Sequence, residues 1–535
     1  MGGSFFQLVF LVAGDWLSVY VACVEVSTLL PVVVDCLELP PDLRLLNAAW
    51  YICTLIPRNT HRLCYMSFKV TPISPTRIVQ TLLLLLGALL VAYAISNHPL
   101  YGGGTGFGLV RMLIGAAGIG LTFCTLLPTR ISGRFLLLAI TCLVMLAFTE
   151  IAGEFVLGPR FRPIYQPDDR LIFKFIPSRI SVMTRSPVNG GNTITHHINS
   201  EGFRGNELLP VGKAIRVAVY GDSFIHAYYS SDEETFSGQL GTQLAARLGK
   251  EVEVVNAGVS SYGPDQISLK IEDELPRLRP ELVIVSIFAG NDYGDLMRNK
   301  MFRLGADGAL VENHWKLDPM ARASFEHSQR ESILRRAWRN TIGSIGPPPD
   351  RSNFSNPDFL LEEAGREYRS FVVERNDFVT NTHTDYYSAD VSLTPGSESA
   401  RYKVALMRAM LHRIRDVASR QGVPLVFLFI PHPVDVTDHY DSWQIDRKRF
   451  PGYDGRNQVV PLEDVARAMG VPFLSLYDAY RQRDANTLYF HDDDHWNDSG
   501  QRMAAEMMAD YLLTLKVNFR LALTTNKPGC LQPCG

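Results

Sequence analysis

Residues 215–223 read IRVAVYGDS. A short, β-branched, almost wholly apolar run predicts a strand buried on both faces. Gly221 permits a tight exit from it, and Ser223 then opens the next segment with its hydroxyl exposed. Two further runs end the same way. Residues 252–256 (VEVVN) lead into Asn256-Ala257-Gly258, and 282–288 (LVIVSIF) lead into Gly290-Asn291-Asp292. Later runs at 423–430 and 472–476 complete a set of strands. Amphipathic helices are predicted between and after them, over 236–248, 266–278, 402–421, 462–469 and 498–515. Apolar strands alternating with helices imply an α/β fold, a flavodoxin-like parallel sheet with helices on both faces. Such sheets place their chemistry at the carboxyl ends of the strands.

Outward from this region the chain changes character. It has 535 residues and a net charge of −3, from 52 basic and 55 acidic side chains, which gives no reason to expect nucleic acid as a partner. Residues 1 to 157 are strongly apolar, and 213–515 read as a soluble domain. Six of the eight cysteines lie in the apolar part, and Cys530 and Cys534 lie in the 516–535 tail. A domain without cysteine excludes a disulfide framework or a thiolate zinc site there. Three stretches approach the length of a membrane span, 78–96, 112–127 and 135–151. They make 66–157 an α-helical transmembrane region. Arg58, Arg62, Lys69 and Arg77 precede the first span, and Arg130 and Arg134 separate the second from the third. The loop between the first two holds no Lys or Arg, although Arg111 borders it. The basic loops belong on the cytoplasmic side, so everything beyond the third span is extracytoplasmic, periplasmic in a Gram-negative cell. Arg160 and Arg162 run against that rule. The Gly-rich stretch 102–106 reads as a loop between spans, since no strand precedes it.

Residues 1–65 are apolar but broken by Asp15, Glu25, Asp35 and Pro40-Pro41. They read as one or two poor spans and not as a signal peptide, because no basic lead precedes them. Met66 begins a short basic lead before the best span and reads as the true start. Residues 158–212 form a polar lead-in. The stretch 293–400 is too long for a plain loop and reads as a cap or lid.

Four blocks now stand in order: Gly221-Asp222-Ser223, Asn256-Ala257-Gly258, Gly290-Asn291-Asp292, and His491-Asp492-Asp493-Asp494-His495 before the last helix. Their order resembles the blocks of the SGNH (GDSL-like) hydrolase family over roughly 215–515, with the insertion unmatched. The lead-in 199–205 (NSEGFRG) also resembles that of tethered bacterial members. The resemblance implies that Ser223 attacks an ester carbonyl and that His495 takes its proton. Asp492, three residues before His495, would orient the imidazole, with Asp493 as the alternative. The oxyanion hole would be the N–H of Ser223, the N–H of Gly258 and the amide of Asn291. No cofactor or metal is implied. Phe224 departs from the family name, which has Leu there. The implied activity is a membrane-anchored serine esterase on acyl esters, chiefly O-acetyl groups of cell-envelope glycans. An O-acyltransferase fed by a membrane acyl-donor partner is one alternative. A catalytically silent glycan-binding module is another.

Each block alone is weak, since turns use Gly, Asp, Asn and Ser constantly. Ser260 and Ser261 read as loop residues, and His226 as a helix-start residue. His196 and His197 read as surface side chains, and Trp496 as packing. The insertion's aromatics (Phe302, Trp315, Phe325, Trp338, Tyr386, Tyr387) could stack on sugar rings, but most read as its own core.

Overall fold

The computed structural model describes residues 6–13, 16–23, 74–96, 109–337, 356–382, 388–437, 445–491 and 493–515. The chain divides into two units, Met1–Ala147 and Phe148–Gly535.

In the first unit, Phe6–Ala13 and Trp16–Cys23 pair as antiparallel strands where poor spans were expected. Their valine and aromatic content suits a ladder. Three helices follow: α1 (Pro75–Ile95), α2 (Leu109–Phe123) and α3 (Thr129–Phe161), whose last turns belong to the second unit. Ser74 caps α1 and Pro75 occupies its first turn, where a missing N–H costs nothing. α1 and α3 are long and apolar enough to cross a bilayer; the middle apolar segment, Arg111–Leu126, is shorter. A Cβ at Gly87 would lie 2.7 Å from the Gly118 carbonyl oxygen, so glycine lets α1 and α2 touch backbone to backbone.

The second unit is built on a five-stranded parallel sheet. Its strands are β1 (Ile215–Tyr220), β2 (Val252–Asn256), β3 (Leu282–Phe288), β4 (Leu425–Ile430) and β5 (Phe473–Ser475). Their spatial order is β5-β4-β3-β1-β2, and every pairing is parallel. That is the flavodoxin-like order, with its switch point between β1 and β3. Alternate residues serve opposite faces. Ala218, Val283, Val285, Phe427 and Phe429 pack with α6 (Pro264–Leu278) and with a later helix, Glu398–Arg420. Val217, Val219, Ile284, Val426 and Leu428 pack with α5 (Phe236–Leu248) and the last helix, Asp498–Thr514. Burial on both faces explains why the strands read as unbroken apolar runs.

The lead-in belongs to this unit. Arg179–Thr184 and Thr193–Ile198 form an antiparallel pair, and Arg204 bridges Ile198 to Asn256 at the end of β2. His196 is fully buried against His226 and Tyr228, which corrects its reading as a surface residue. In a strand only every second side chain faces outward, and it is His197 that does, with Asp232 as its partner.

The insertion begins with α7 (Asp292–Asn299), which is buried throughout, and continues through short strands and α8 (Pro319–Arg330). Phe302 is in the core, and Trp315 and Phe325 pack against it, so these three are structural. Trp338, Tyr386 and Tyr387 lie outside the described residues.

Candidate active site

Ser223 begins a four-residue helix, α4 (Ser223–His226), directly beyond β1. The turn into it is sterically determined. A Cβ at position 221 would lie 2.0 Å from Ser286 Oγ and 2.4 Å from Ile225 Cγ1, so only glycine fits between β3 and α4. The Asp222 carboxylate accepts from Phe224 N at 2.9 Å and caps α4. Ala227 ends it in the left-handed region, at φ 53°. Arg204, from the lead-in, is almost wholly buried and donates to the carbonyls of His226, Ala227 and Ser230, while its Nε pairs with Asp232 at 2.9 Å. The His226 and Ala227 carbonyls lie at the end of α4, where main-chain acceptors look beyond the helix for partners.

His495 arrives from the loop before the last helix. Its Nε2 lies 2.7 Å from Ser223 Oγ. Its Nδ1 is hydrogen-bonded to the Asp493 carboxylate, which also accepts from the His495 main-chain N–H at 3.0 Å. The residue two before the histidine therefore supplies the carboxylate. Asp492, preferred from spacing, lies outside the described residues. Tyr229 hydrogen-bonds Asp493 from behind, and its ring stands edge-on to His495 at 5.8 Å. Phe224 stacks on the imidazole at 4.8 Å, which gives the Phe in place of the family's Leu a packing role. Trp496 is buried and donates to Phe224 O at 3.0 Å, tying the histidine loop to α4.

The electrostatics follow from this packing. Burial opposes a charged imidazole, yet the Asp493 carboxylate on Nδ1, with Asp494 and Asp222 nearby, holds His495 well above the ordinary imidazole range. Burial likewise opposes the Asp493 charge, but the His495 imidazole and its hydrogen bonds hold that carboxyl well below the usual range. Asp493, Asp494 and His495 could group around a cation. Both imidazole nitrogens are already engaged, however, so neither offers a free lone pair.

The loop after β2 runs against α4. A Cβ at Gly258 would lie 2.4 Å from His226 N, so no larger residue brings this backbone as close. The Gly258 N–H points to Asn256 Oδ1 at 3.1 Å, and Asn256 Nδ2 donates to Ile225 O at 2.7 Å. Asn291 stands at the residue before α7, makes no capping bond, is buried, and has no hydrogen-bond partner on its Oδ1 among the described residues.

Sequence reasoning missed Tyr229, Arg204 and His432. His432 sits beyond β4, with Nε2 3.6 Å from Asp494. Arg204 lay within a quoted segment, and a charged residue that close to apolar strands was the available signal. Nothing in the sequence pointed to Tyr229.

Residues 219–456 match the GDSL-like lipase/acylhydrolase family, and 386–527 match an SGNH hydrolase-like domain described for the acetyltransferase AlgX. No curated protein matches. Similar solved structures include the psychrotrophic esterase EstA from a Pseudoalteromonas species, at 11% identity, covering 56% of this chain and 98% of that one, with a TM-score of 0.29. A lipase/acylhydrolase from Enterococcus faecalis has 12% identity, coverages of 57% and 96%, and a TM-score of 0.28. A family 3 carbohydrate esterase from Clostridium thermocellum has 13% identity, coverages of 58% and 98%, and a TM-score of 0.27. With its four blocks at the carboxyl end of a flavodoxin-like sheet, the region spanned by the two family matches, residues 219–527, belongs to the SGNH (GDSL-like) hydrolase family.

Proposed function

We propose that the protein is a membrane-anchored serine esterase acting on acyl esters, with O-acetyl groups of cell-envelope glycans as the substrate class. The observation that carries this reading is the 2.7 Å approach of Ser223 Oγ to His495 Nε2, with Asp493 behind the imidazole. A serine hydroxyl is a weak nucleophile at neutral pH and needs such a base. In this mechanism Ser223 Oγ bonds to the ester carbonyl carbon while its proton passes to Nε2. Asp493 keeps the other proton on Nδ1 and stabilises the imidazolium. The N–H of Ser223, the N–H of Gly258 and the Asn291 side-chain amide receive the oxyanion, with Gly258 releasing Asn256 Oδ1 to do so. The imidazolium protonates the departing alcohol. Water, activated by the same nitrogen, then resolves the acyl-enzyme.

The transferase reading differs only in the last step, where a sugar hydroxyl replaces water. The match of 386–527 to the AlgX acetyltransferase domain favours it. The apolar helices among the described residues are too few for an acyl-carrying channel, so transfer requires a membrane partner to supply acyl groups. The isolated domain is then a hydrolase. Anchoring rests on α1 and α3, and the extracytoplasmic side rests on the Lys/Arg distribution. A reporter fused after Leu515 that is active only inside the cytoplasm would overturn that orientation.

The deciding experiment is labelling with a fluorophosphonate probe. The wild-type chain should label and Ser223→Ala should not. A folded wild-type chain that stays unlabelled would favour the silent glycan-binding module instead.

A further inference from the structure

A cavity lies in the unit Phe148–Gly535, lined in part by the loop after β2. Its volume is about 420 Å³. Arg160 and Arg162, Tyr165, Ser181, Tyr228 and Ser260 line it. Arg160 lies in the last turn of α3 and Arg162 just past its end, the first basic charges beyond its apolar run. Arg179 stands close by. Burial and the charge of Arg162 depress its guanidinium, and Glu154 only partly offsets them. Arg179 Nε is buried with no hydrogen-bond partner among the described residues. Among the described residues Glu154 is the carboxylate that acts on Arg179, and it pairs with Arg162. No ion pair to Arg160 or Arg179 is seen among the described residues. Two guanidinium groups thus line the cavity, a third stands near Arg162, and the remaining polar lining is hydroxyl groups.

We propose that this cavity is a phosphate-binding site, filled by the phosphate of a membrane lipid or of a lipid-linked substrate. Guanidinium groups present paired N–H donors that match phosphate oxygens, and serine and tyrosine hydroxyls donate to the same oxygens. The lipid source rests on the membrane reading above. A helix that crosses the bilayer delivers the residues just past its apolar run to the headgroup layer, where phosphates are concentrated. The cavity also touches the catalytic machinery. Ser260 Oγ lies 2.6 Å from His226 Nδ1, and His226 shares α4 with Ser223. Ser260 is two residues beyond Gly258. A phosphate anchored here holds the rest of its molecule near the nucleophile.

The test uses the full chain in neutral maltoside micelles. Inorganic phosphate is titrated by calorimetry against chloride at matched ionic strength. Binding should saturate, and Arg160→Gln should weaken it about tenfold, as expected for losing one charge-assisted hydrogen bond. Arg160 is exposed, so this variant should fold, as near-UV circular dichroism checks. Glu154→Gln should strengthen binding, because it removes the competing anion. Unsaturable binding, or identical titrations for wild type, Arg160→Gln and Glu154→Gln, would overturn the site. A second arm adds phosphatidylglycerol or phosphatidylcholine to the micelles and measures lipid retained after purification. Retention of phosphatidylglycerol that Arg160→Gln abolishes assigns the phosphate to a lipid. Lipid retention that Arg160→Gln leaves unchanged, alongside saturable inorganic phosphate, overturns the lipid source. A chain that stays in solution without detergent would refute the membrane anchor and leave the phosphate titration unaffected.

Discussion

The nucleophile turn and the histidine loop meet at one hydrogen bond, but different physics builds them. At 221–227 the constraints are mainly steric, with Ser286 of β3 and Arg204 of the lead-in closing on the turn. Gly221 fits where no Cβ can, Asp222 caps the helix two residues on, and Ala227 closes it in the left-handed region. At 491–496 they are remote and chemical. Asp493 orients His495, Tyr229 supports Asp493, and Trp496 reaches Phe224 O across 272 positions of sequence. The side chain of Asp494 is about 44% exposed, whereas Asp222 is buried. A turn fixed by close packing around one glycine has its shape set by space. A loop held by side-chain hydrogen bonds can lose its geometry one partner at a time.

The largest effect should come from the nucleophile itself. Ser223→Ala should lower turnover of a short acyl ester by on the order of 10⁶, with thermal stability nearly unchanged. Turnover within tenfold of wild type in a folded variant would break the mechanism.

On the opposite side of the bond, Asp493→Asn should lower kcat by on the order of 10⁴, whereas Asp492→Asn should do little. The reverse pattern would move the orienting role to Asp492. The same variant has a pH signature. Activity needs neutral His495, so kcat/KM should rise with pH, with its midpoint above the ordinary imidazole value because Asp493 raises that pKa. Asp493→Asn should shift this limb to lower pH. Stability carries the opposite sign. The contribution from the raised imidazole is full below its unfolded pKa and fades as pH rises through the folded one. The depressed Asp493 contributes above its unfolded pKa and loses that as pH falls through the folded value. The two describe one ion pair, which is strongest between those limits.

Asn291→Ala should cost about 10² to 10³ in kcat, as one oxyanion donor does. An unchanged KM would show that the donor acts on the transition state; a loss confined to KM would make Asn291 a substrate contact.

Tyr229→Phe should be the mildest, about tenfold in kcat, the value of one hydrogen bond to a carboxylate. Its ring packing survives, so a change in the pH midpoint without a change in stability would separate its electrostatic part from its packing.

The sequence by itself determined the sheet, the order of its strands along the chain and the residues at their ends. Alternating apolar runs and amphipathic helices admit few arrangements, and Gly-Asp-Ser or Gly-Asn-Asp at a strand exit has a local reading. It also marked His495, through the resemblance of its block to that of the SGNH hydrolases. What it left open was everything set by contacts between distant segments. Spacing alone preferred Asp492, because Asp-x-x-His and Asp-x-His differ only in how the loop curls, and that is decided by what Trp496 and Tyr229 hold. His196 read as a surface residue because strand register, not composition, chooses which of two adjacent histidines is buried. Arg204 lay in a polar lead-in and became the clamp on α4 only when that lead-in paired with β2. Periodicity and turn chemistry act over a few residues and are written in the chain, whereas the partner of a buried polar group is chosen by the fold.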